Sequence, residues 1–267
     1  MLILDVSNYD ESTFDPACML SEHVDGVILG CQREDVADRM ARMAAAAGLP
    51  IIATYAFLYF GQDTLGQTMA AVRISEKYGI PRVFLDCESG EGTERPGITV
   101  AERQAELRDC IHAVETEGLA AGIYTGAFWW PSKMGNTTEW ARLPLWHAAY
   151  YNDGSKQRSV AYGGWTECAI HQWTSTLDVC GRRRDANEVW DTSLLEVGMT
   201  KDETQALIDQ RLDATIGLTL LALMEQMVGI VPSTFDQTNQ QRVDAIVAKL
   251  TAGGVSLKGA TFTGVIQ

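Results

Sequence analysis

The sequence predicts an α/β fold, an irregular TIM-like β/α barrel followed by a small, mainly helical C-terminal domain. Short apolar runs alternate with segments of helical periodicity, and each run is nearly continuous. Continuous apolar runs are typical of parallel strands that are covered on both faces. Polar and aromatic residues also collect directly after these runs. In a β/α barrel, the ends of the strands form one rim, and active sites lie on that rim.

Seven apolar runs are predicted to be strands. They cover residues 2–4, 24–29, 49–53, 82–86, 119–124, 143–146 and 168–173. Helices are predicted over residues 35–47, 65–78 and 99–117. Gly48 and Gly79 stand where the first two helices should end. The third begins at a capping box, in which Thr99 and Glu102 satisfy each other's backbone N–H groups.

The amino-acid composition limits the classes of protein to which the chain can belong. A chain of 267 residues with 46% hydrophobic and 21% charged residues has enough apolar material for one large barrel and a small appendage. The formal net charge of −14 argues against a nucleic-acid partner, which requires a basic surface. No metal-ligand spacing, glycine-rich phosphate loop or G-x-S-x-G motif occurs, so we expect neither a metal nor a cofactor.

The cysteines and the termini suggest where the protein is made. The six cysteines are scattered without a C-x-x-C pair, and we expect them to be free thiols in a reducing cytosol. The N-terminal apolar run is too short for a signal peptide. The longest apolar stretch, residues 216–231, contains Glu225 and Gln226 and is too short to span a bilayer. We therefore expect a protein made in soluble form in the cytoplasm.

Two carboxylates, Asp86 and Glu88, end the central apolar run. In an extended strand, side chains at i and i+2 point to the same face, about 7 Å apart. Crowded carboxylates resist ionising together, so the pKa of one rises and it holds a proton near neutral pH. Cleavage of a glycosidic bond requires an acid beside a base. Taken alone, the pair is equally consistent with a solvated strand end, but Asp5 and other polar strand-end residues favour a shared cleft.

The predicted rim is rich in aromatic residues. They are Tyr55, Tyr59, Tyr124, Phe128, Trp129, Trp130, Trp146, Tyr150, Tyr151 and Trp173. Flat rings beside carboxylates suit a sugar, whose C–H faces pack on aromatic rings while its hydroxyls form hydrogen bonds. We expect about half of the set to contact a ligand and the rest to pack under loops.

Taken together, these segments resemble glycoside hydrolase family 25, the muramidase lysozymes found among phage endolysins. The matching segments are LDVS at 4–7, YAF at 55–57, FLDCE at 84–88, GIYT at 122–125, LW at 145–146, HQWTS at 171–175 and DAN at 185–187. The resemblance covers about residues 1–191. It implies an irregular β/α barrel that cleaves the β-1,4 bond between N-acetylmuramic acid and N-acetylglucosamine in peptidoglycan.

The resemblance also implies roles for individual residues. Glu88 would be the general acid, and Asp86 would orient the acetamido group of the substrate or activate water. Asp5 and Asp185 would complete the carboxylate cluster. The expected substrate-binding residues are Tyr55, Phe57, Tyr124, Trp146, Gln172 and Trp173.

The predicted domains are a catalytic barrel at 1–192, a linker at 193–199 and a helical domain at 200–267. The helical domain carries a Leu/Met stripe suited to homo-oligomerisation or to attachment to a wall or virion. The segment 257–264 resembles short stretches of phage tail and fibre proteins.

The expected partner is the glycan strand of bacterial peptidoglycan. The favoured function is therefore an endolysin or virion-associated lysin, which acts on the wall after release or from the virion. One alternative is a catalytically idle, glycan-binding phage structural protein. Another is a hydrolase of chitin or a similar N-acetylated glycan.

Overall fold

Eight strands form a closed barrel in the computed structural model, which describes residues 1–90 and 92–195. The barrel strands are β1 (Leu2–Val6), β2 (Gly26–Gly30), β3 (Ile51–Phe57), β4 (Arg82–Asp86), β5 (Ala120–Thr125), β6 (Leu145–Ala148), β9 (Ile170–Val179) and β10 (Arg182–Val189). Around the barrel they follow the order β1, β10, β9, β6, β5, β4, β3, β2. The predicted α/β barrel is confirmed.

One strand departs from the predicted parallel arrangement. β10 pairs antiparallel with both β1 and β9, whereas the other neighbouring pairs are parallel. β10 is not among the strands predicted from the sequence, and it opens with three arginines, Arg182 to Arg184. Of these, Arg184 is buried, and its guanidinium donates to the carboxylate of Asp10 and to the carbonyl of Thr13. A buried guanidinium requires such partners, and here they are both available.

The three predicted helices form, with ends within two residues of those expected. They are α2 (Glu34–Ala47), α3 (Thr64–Tyr78) and α4 (Val100–Thr116). Gly48 and Gly79 end the first two in the left-handed conformation, which glycine adopts without steric cost. The predicted capping box of Thr99 and Glu102 begins α4. Among the described helices, none combines the length and apolar character needed to cross a bilayer.

Short elements without a strong apolar period were not predicted. They are a 3-10 helix at Asn8–Thr13, α1 (Pro16–Ser21), α5 (Trp130–Lys133), the hairpin of β7 (Ser159–Tyr162) and β8 (Trp165–Glu167), and a 3-10 helix at Thr192–Leu195. The barrel lies within a unit that covers Met1–Gly198. Residues 193–195 of the predicted linker belong to the 3-10 helix at Thr192–Leu195. The rest of the linker and the helical domain at 200–267, with its oligomerisation stripe, lie outside the described residues.

Two groups of apolar side chains build the core. On β4, Val83 and Leu85 face outward and join the layer between barrel and helices, whereas Phe84 faces inward. Cys87 also joins the outer layer, opposite Asp86, as the strand geometry predicts. Inside the barrel, the ring of Trp146 meets Tyr55, Phe84 and Tyr124 edge-on, with centroids 5.9, 5.5 and 4.5 Å apart.

The expectation of six free cysteines is wrong for two of them. Cys18 on α1 and Cys180 in the turn between β9 and β10 form a disulfide, with Cα atoms 6.1 Å apart. The remaining cysteines, Cys31, Cys87, Cys110 and Cys168, are free and buried. Sequence spacing could not reveal the pair because 162 residues separate its members, and the barrel closure brings them together.

Candidate active site

A pocket of about 290 Å³ opens at the carboxyl ends of the parallel strands. Its lining residues are Asp5, Ser7, Tyr9, Gln32, Tyr55, Phe57, Asp86, Glu88, Tyr124, Trp146, Tyr150, Gln172, Ser175 and Asp185. These residues come from positions between 5 and 185 along the chain. The closed barrel therefore brings distant segments to one pocket, which contains all four candidate carboxylates.

Asp86 is the most enclosed of the central pair. It is the last residue of β4, its side chain is inward like that of Phe84, and the residue is only 4% exposed. Burial raises the pKa of Asp86 well above its usual range, and the neighbouring charges of Glu88 and Asp5 raise it further. Its Oδ1 atom is buried and has no hydrogen-bond partner among the described residues. Within the described part of the chain, that oxygen therefore lacks the hydrogen bond that a buried carboxylate oxygen normally accepts.

Glu88 is partly exposed within the pocket. Burial raises the pKa of Glu88, the charge of Asp185 adds to the rise, and a hydrogen bond from the Tyr124 hydroxyl opposes it. Tyr124 Oη lies 3.4 Å from Glu88 Oε2 and 2.9 Å from Gln172 Oε1. The hydroxyl of Tyr124 has one proton to donate, and the shorter distance shows that it donates mainly to Gln172. Its hydrogen bond to Glu88 is therefore weak.

Asp5 is fixed by two amide side chains. Its Oδ1 accepts hydrogen bonds from Gln172 Nε2 at 3.0 Å and from Asn187 Nδ2 at 2.7 Å. Burial and the charge of Asp185 raise the pKa of Asp5 to about 7, against the lowering effect of both amides. Because Oδ1 already accepts two N–H groups, a proton on Asp5 resides on Oδ2.

Asp185 reaches the pocket because β10 runs antiparallel. Its Cα pairs with that of Asp5 across the β1–β10 ladder, so the two side chains are neighbours. Burial and the charge of Asp10 raise the pKa of Asp185, while a hydrogen bond with Asp5 lowers it. Two neighbouring carboxylates resist ionising together, so the pair favours a state in which one of them is protonated.

Amide and indole groups support this cluster from below. Asn187 Oδ1 accepts from Trp146 Nε1 at 2.7 Å, which turns the amide so that its nitrogen faces Asp5. Gln172 Oε1 accepts from Tyr124 and from Tyr150, the latter at 2.6 Å, so its nitrogen also faces Asp5. The two amides therefore have one orientation that satisfies every partner.

The family model for glycosyl hydrolases family 25 matches residues 29–182, which is more than half of the chain. The chain belongs to glycosyl hydrolases family 25. A similar protein is the probable GH family 25 lysozyme 2 of Dictyostelium discoideum, 31% identical over 110 residues, which are 41% of this chain and 49% of that protein. The chain thus spans about half of that relative. It spans 31% of another, the probable GH family 25 lysozyme 3 of the same organism, at 25% identity over 55% of this chain.

Solved structures of family 25 enzymes share the fold. A family GH25 lysozyme from Aspergillus fumigatus superposes with a TM-score of 0.60 at 19% identity, covering 74% of this chain and 99% of that one. The modular Cpl-1 endolysin, solved with a peptidoglycan analogue, gives a TM-score of 0.51 at 17% identity and covers 71% of this chain and 54% of that one. At these identities the likeness concerns the fold of the family 25 barrel.

The family 25 barrel brings nine of the ten predicted site residues to the pocket. Trp173 is the exception. Successive strand residues point to opposite faces, so Gln172 faces inward and Trp173 outward. The Trp173 ring packs on the outer core layer, with Lys156 Nζ 4.9 Å from its centroid. Sequence reasoning selected both neighbours because the register of β9 was unknown.

Several residues of this family 25 site were not selected from the sequence as site residues. Ser7 and Tyr9 follow β1, Gln32 follows β2, and Ser175 lies in β9. Asn187 was noted only as part of a family motif, yet it bonds directly to Asp5. A polar residue two positions after Asp185 on the same strand is the signal that could have found it, since i and i+2 share a face.

Proposed function

We propose that this protein is an N-acetylmuramidase, a lysozyme that hydrolyses the β-1,4 bond between N-acetylmuramic acid and N-acetylglucosamine in peptidoglycan. The observation that carries the proposal is the carboxylate cluster. Asp86 and Glu88 share a pocket with Asp5 and Asp185, and burial raises the pKa of all four. Acids that stay protonated beside acids that ionise are what glycosidic cleavage uses.

Glu88 is the proposed proton donor. It is less buried than Asp86, and the weak Tyr124 contact leaves its carboxyl free to turn toward a substrate. In this step the Glu88 proton moves to the glycosidic oxygen as the bond to the anomeric carbon breaks. Water then adds to that carbon, and its proton returns to the Glu88 carboxylate. The Tyr124 hydroxyl stabilises that carboxylate between the two steps.

Asp86 is the proposed contact for the acetamido group. Its unpartnered Oδ1 accepts the acetamido N–H, which fixes the sugar and places its carbonyl near the anomeric carbon. Asp5 and Asp185 lie behind this pair, and their charges keep the pKa of the cluster high. The indole of Trp146 is only 1% exposed and forms the floor, whereas Tyr150 and Tyr9 stand exposed at the rim.

Peptidoglycan is the proposed substrate because the resemblance to the family implies it and because the Cpl-1 endolysin of similar fold was solved with a peptidoglycan analogue. The chain carries a net charge of −14, so recognition must come from hydrogen bonds and ring stacking rather than from attraction to an anionic wall.

The test is digestion of purified bacterial cell walls, with Glu88→Gln compared with the wild type. Glu76→Gln is the matched control, since Glu76 is exposed on α3, away from the pocket. We expect turbidity loss for wild type and control, and none for Glu88→Gln. Mass spectrometry of the released fragments should show new reducing ends on N-acetylmuramic acid. Equal clearing by Glu88→Gln would overturn the assignment of the acid.

Wall digestion and wall sedimentation, with soluble chitin oligomers as a second substrate, separate two other candidate functions. A catalytically idle glycan-binding protein would sediment with walls and release no reducing ends. A hydrolase of chitin-like glycans would cut soluble chitin oligomers and leave walls intact. The carboxylate cluster favours an enzyme, because a binding module gains nothing from burying four acids that raise one another's pKa.

We also propose a role as an endolysin or virion-associated lysin, which the sequence suggested. The disulfide of Cys18 and Cys180 fits action outside a reducing cytoplasm, where such bonds persist. Expression with and without a phage lysis cassette, followed by release of the protein and wall digestion, tests this role. Sedimentation of the full chain tests the proposed homo-oligomer.

A further inference from the structure

A second cavity, of about 360 Å³, lies at the opposite end of the barrel from the carboxylate pocket. It is lined by residues at the amino ends of β4 and β6 and by the 3-10 helix at Thr192–Leu195. Three arginines, Arg82, Arg142 and Arg158, take part in this lining. Such a cluster is notable in a chain with 21 basic and 35 acidic residues.

Arg82 is the residue that makes this cavity unusual. It begins β4, and the alternation that turns Phe84 and Asp86 inward turns Arg82 inward as well. The residue is 5% exposed, and its Nε atom is buried without a partner. Among the described residues, its side chain forms neither a hydrogen bond nor an ion pair. A buried guanidinium left unpaired in this way is costly.

The neighbouring carboxylate, Asp191, does not pair directly with Arg82. Asp191 also lines the cavity, but its Oδ1 accepts from the backbone N–H of Ser193 at 3.0 Å and from its hydroxyl at 2.6 Å. The carboxylate of Asp191 raises the pKa of Arg82 and only partly opposes the lowering by burial. The described lining therefore holds three arginines against two carboxylates, Asp191 and Glu167, and neither carboxylate bonds to Arg82.

The rim supplies two more guanidinium groups. Arg142 pairs with Glu115 at 3.0 Å and Arg158 pairs with Glu167 at 2.9 Å, and these side chains are 40–60% exposed. Exposed ion pairs of this kind are weak, so either arginine can turn toward a ligand at little cost. A buried, unpaired guanidinium near two exposed ones suits the binding of an oxyanion, whose oxygens accept hydrogen bonds from several N–H groups.

We propose that this cavity binds a small oxyanion, a carboxylate or a phosphate group, with Arg82 as the central contact. The proposal does not depend on the hydrolase activity. The carboxylate pocket repels anions through its own four acids and does not compete for such a ligand. A site at this end of the barrel would leave the catalytic pocket open.

Thermal unfolding of the full chain in inorganic phosphate tests the site, with sodium chloride at matched ionic strength as the reference. Sodium acetate forms a second arm that distinguishes carboxylate from phosphate. We expect a saturable rise of the Tm in at least one arm. Arg82→Gln should abolish the rise, and Arg142→Gln should raise the apparent Kd about tenfold, the value of one charge-assisted hydrogen bond.

Arg108→Gln is the matched control, because Arg108 is a half-exposed arginine paired with Glu139 and does not line the cavity. It should respond like the wild type. If Arg82→Gln fails to fold, Arg142→Gln decides the test. Absence of a saturable shift in both arms overturns the proposal. The proposal is also overturned if Arg142→Gln and every Arg82 variant that folds show the same rise of the Tm as the wild type.

Discussion

The two ends of the barrel differ in charge, although a single strand, β4, contributes a charged side chain to each end. β4 directs Arg82 into one end, Phe84 into the middle and Asp86 into the other end. At the carboxyl end, four acids crowd together, and Gln172 and Asn187 orient one of them, Asp5. At the amino end, one buried guanidinium faces a cavity without a described partner. The apolar middle layer stabilises the fold. The buried charged groups at the two ends destabilise it, as expected where binding or chemistry takes place.

The largest expected effect is on catalysis at the carboxyl end. Asp86→Asn should lower the rate of reducing-end release from walls by about 10²–10⁴-fold, the range for losing a group that acts in the transition state. Its fold should persist, because asparagine has the same shape. Asp109→Asn, on the exposed face of α4, is the control and should keep the wild-type rate. An Asp86→Asn enzyme with wild-type activity would remove Asp86 from the mechanism.

The cost of the crowded acids should appear in the stability of the protein. The pKa of Asp5 is about 7 when folded and near 3.8 when unfolded, so between these values the folded state binds the proton more tightly. Stability therefore falls as pH rises through this window. Asp5→Asn removes the effect and should raise the free energy of unfolding at pH 8 by about 4 kcal/mol, at 1.36 kcal/mol per pKa unit. At pH 3, where Asp5 is protonated in the folded state, Asp5→Asn should change the free energy of unfolding little.

Urea unfolding at pH 3 and pH 8 measures this difference. Asparagine retains an Oδ1 that can accept from Gln172 and Asn187, so the variant isolates the charge. The same Asp109→Asn control should show no dependence of this kind. A gain in stability that is equal at both pH values would point to packing and not to titration.

A covalent link should stabilise the carboxyl end. The disulfide ties α1, which follows the pocket-lining segment after β1, to the turn that precedes β10. Replacing Cys18 and Cys180 by serine together should lower the free energy of unfolding by about 2–4 kcal/mol, because the bond closes a long loop in the unfolded chain. Urea unfolding with and without reductant measures it. Reductant should leave the double variant unaffected.

The smallest expected effect concerns the wall of the same pocket. A Cβ atom at Gly30 would lie 2.6 Å from the Cζ atom of Tyr55. Gly30→Ala must displace that ring and should lower the free energy of unfolding by about 1–3 kcal/mol. It should also raise the KM for wall fragments. Gly90→Ala is the control, since a Cβ there meets nothing within 4 Å, and it should be close to neutral.

The sequence predicts the parts of the fold in which burial and periodicity agree. β2 and β4 are buried at every residue and were recognised as apolar runs, and the carboxyl end of β4 located Asp86 and Glu88. The pairing of Asp86 with Glu88 followed from strand geometry alone. Helix ends were predicted where Gly48, Gly79 and the Thr99 capping box leave a chemical signal.

β10 shows why the remainder could not be predicted. Its inward residues Asp185 and Asn187 face the polar pocket, so the strand lacks the apolar alternation by which a sequence signals a strand. Arg184 is buried under a segment more than 170 residues away in sequence, and such a partner is invisible locally. For the same reason, neither the disulfide nor the outward position of Trp173 could be inferred before the barrel was closed.

The bond between Cys18 and Cys180 has a consequence for limited proteolysis of this protein. A single backbone cut anywhere between these residues leaves two fragments that stay covalently joined. On a gel, such a nicked molecule migrates as one species until the disulfide is reduced. The segments on either side of the cut can stay packed in the barrel. Digestion products should therefore be compared on reducing and non-reducing gels, where only the former reveal the cut.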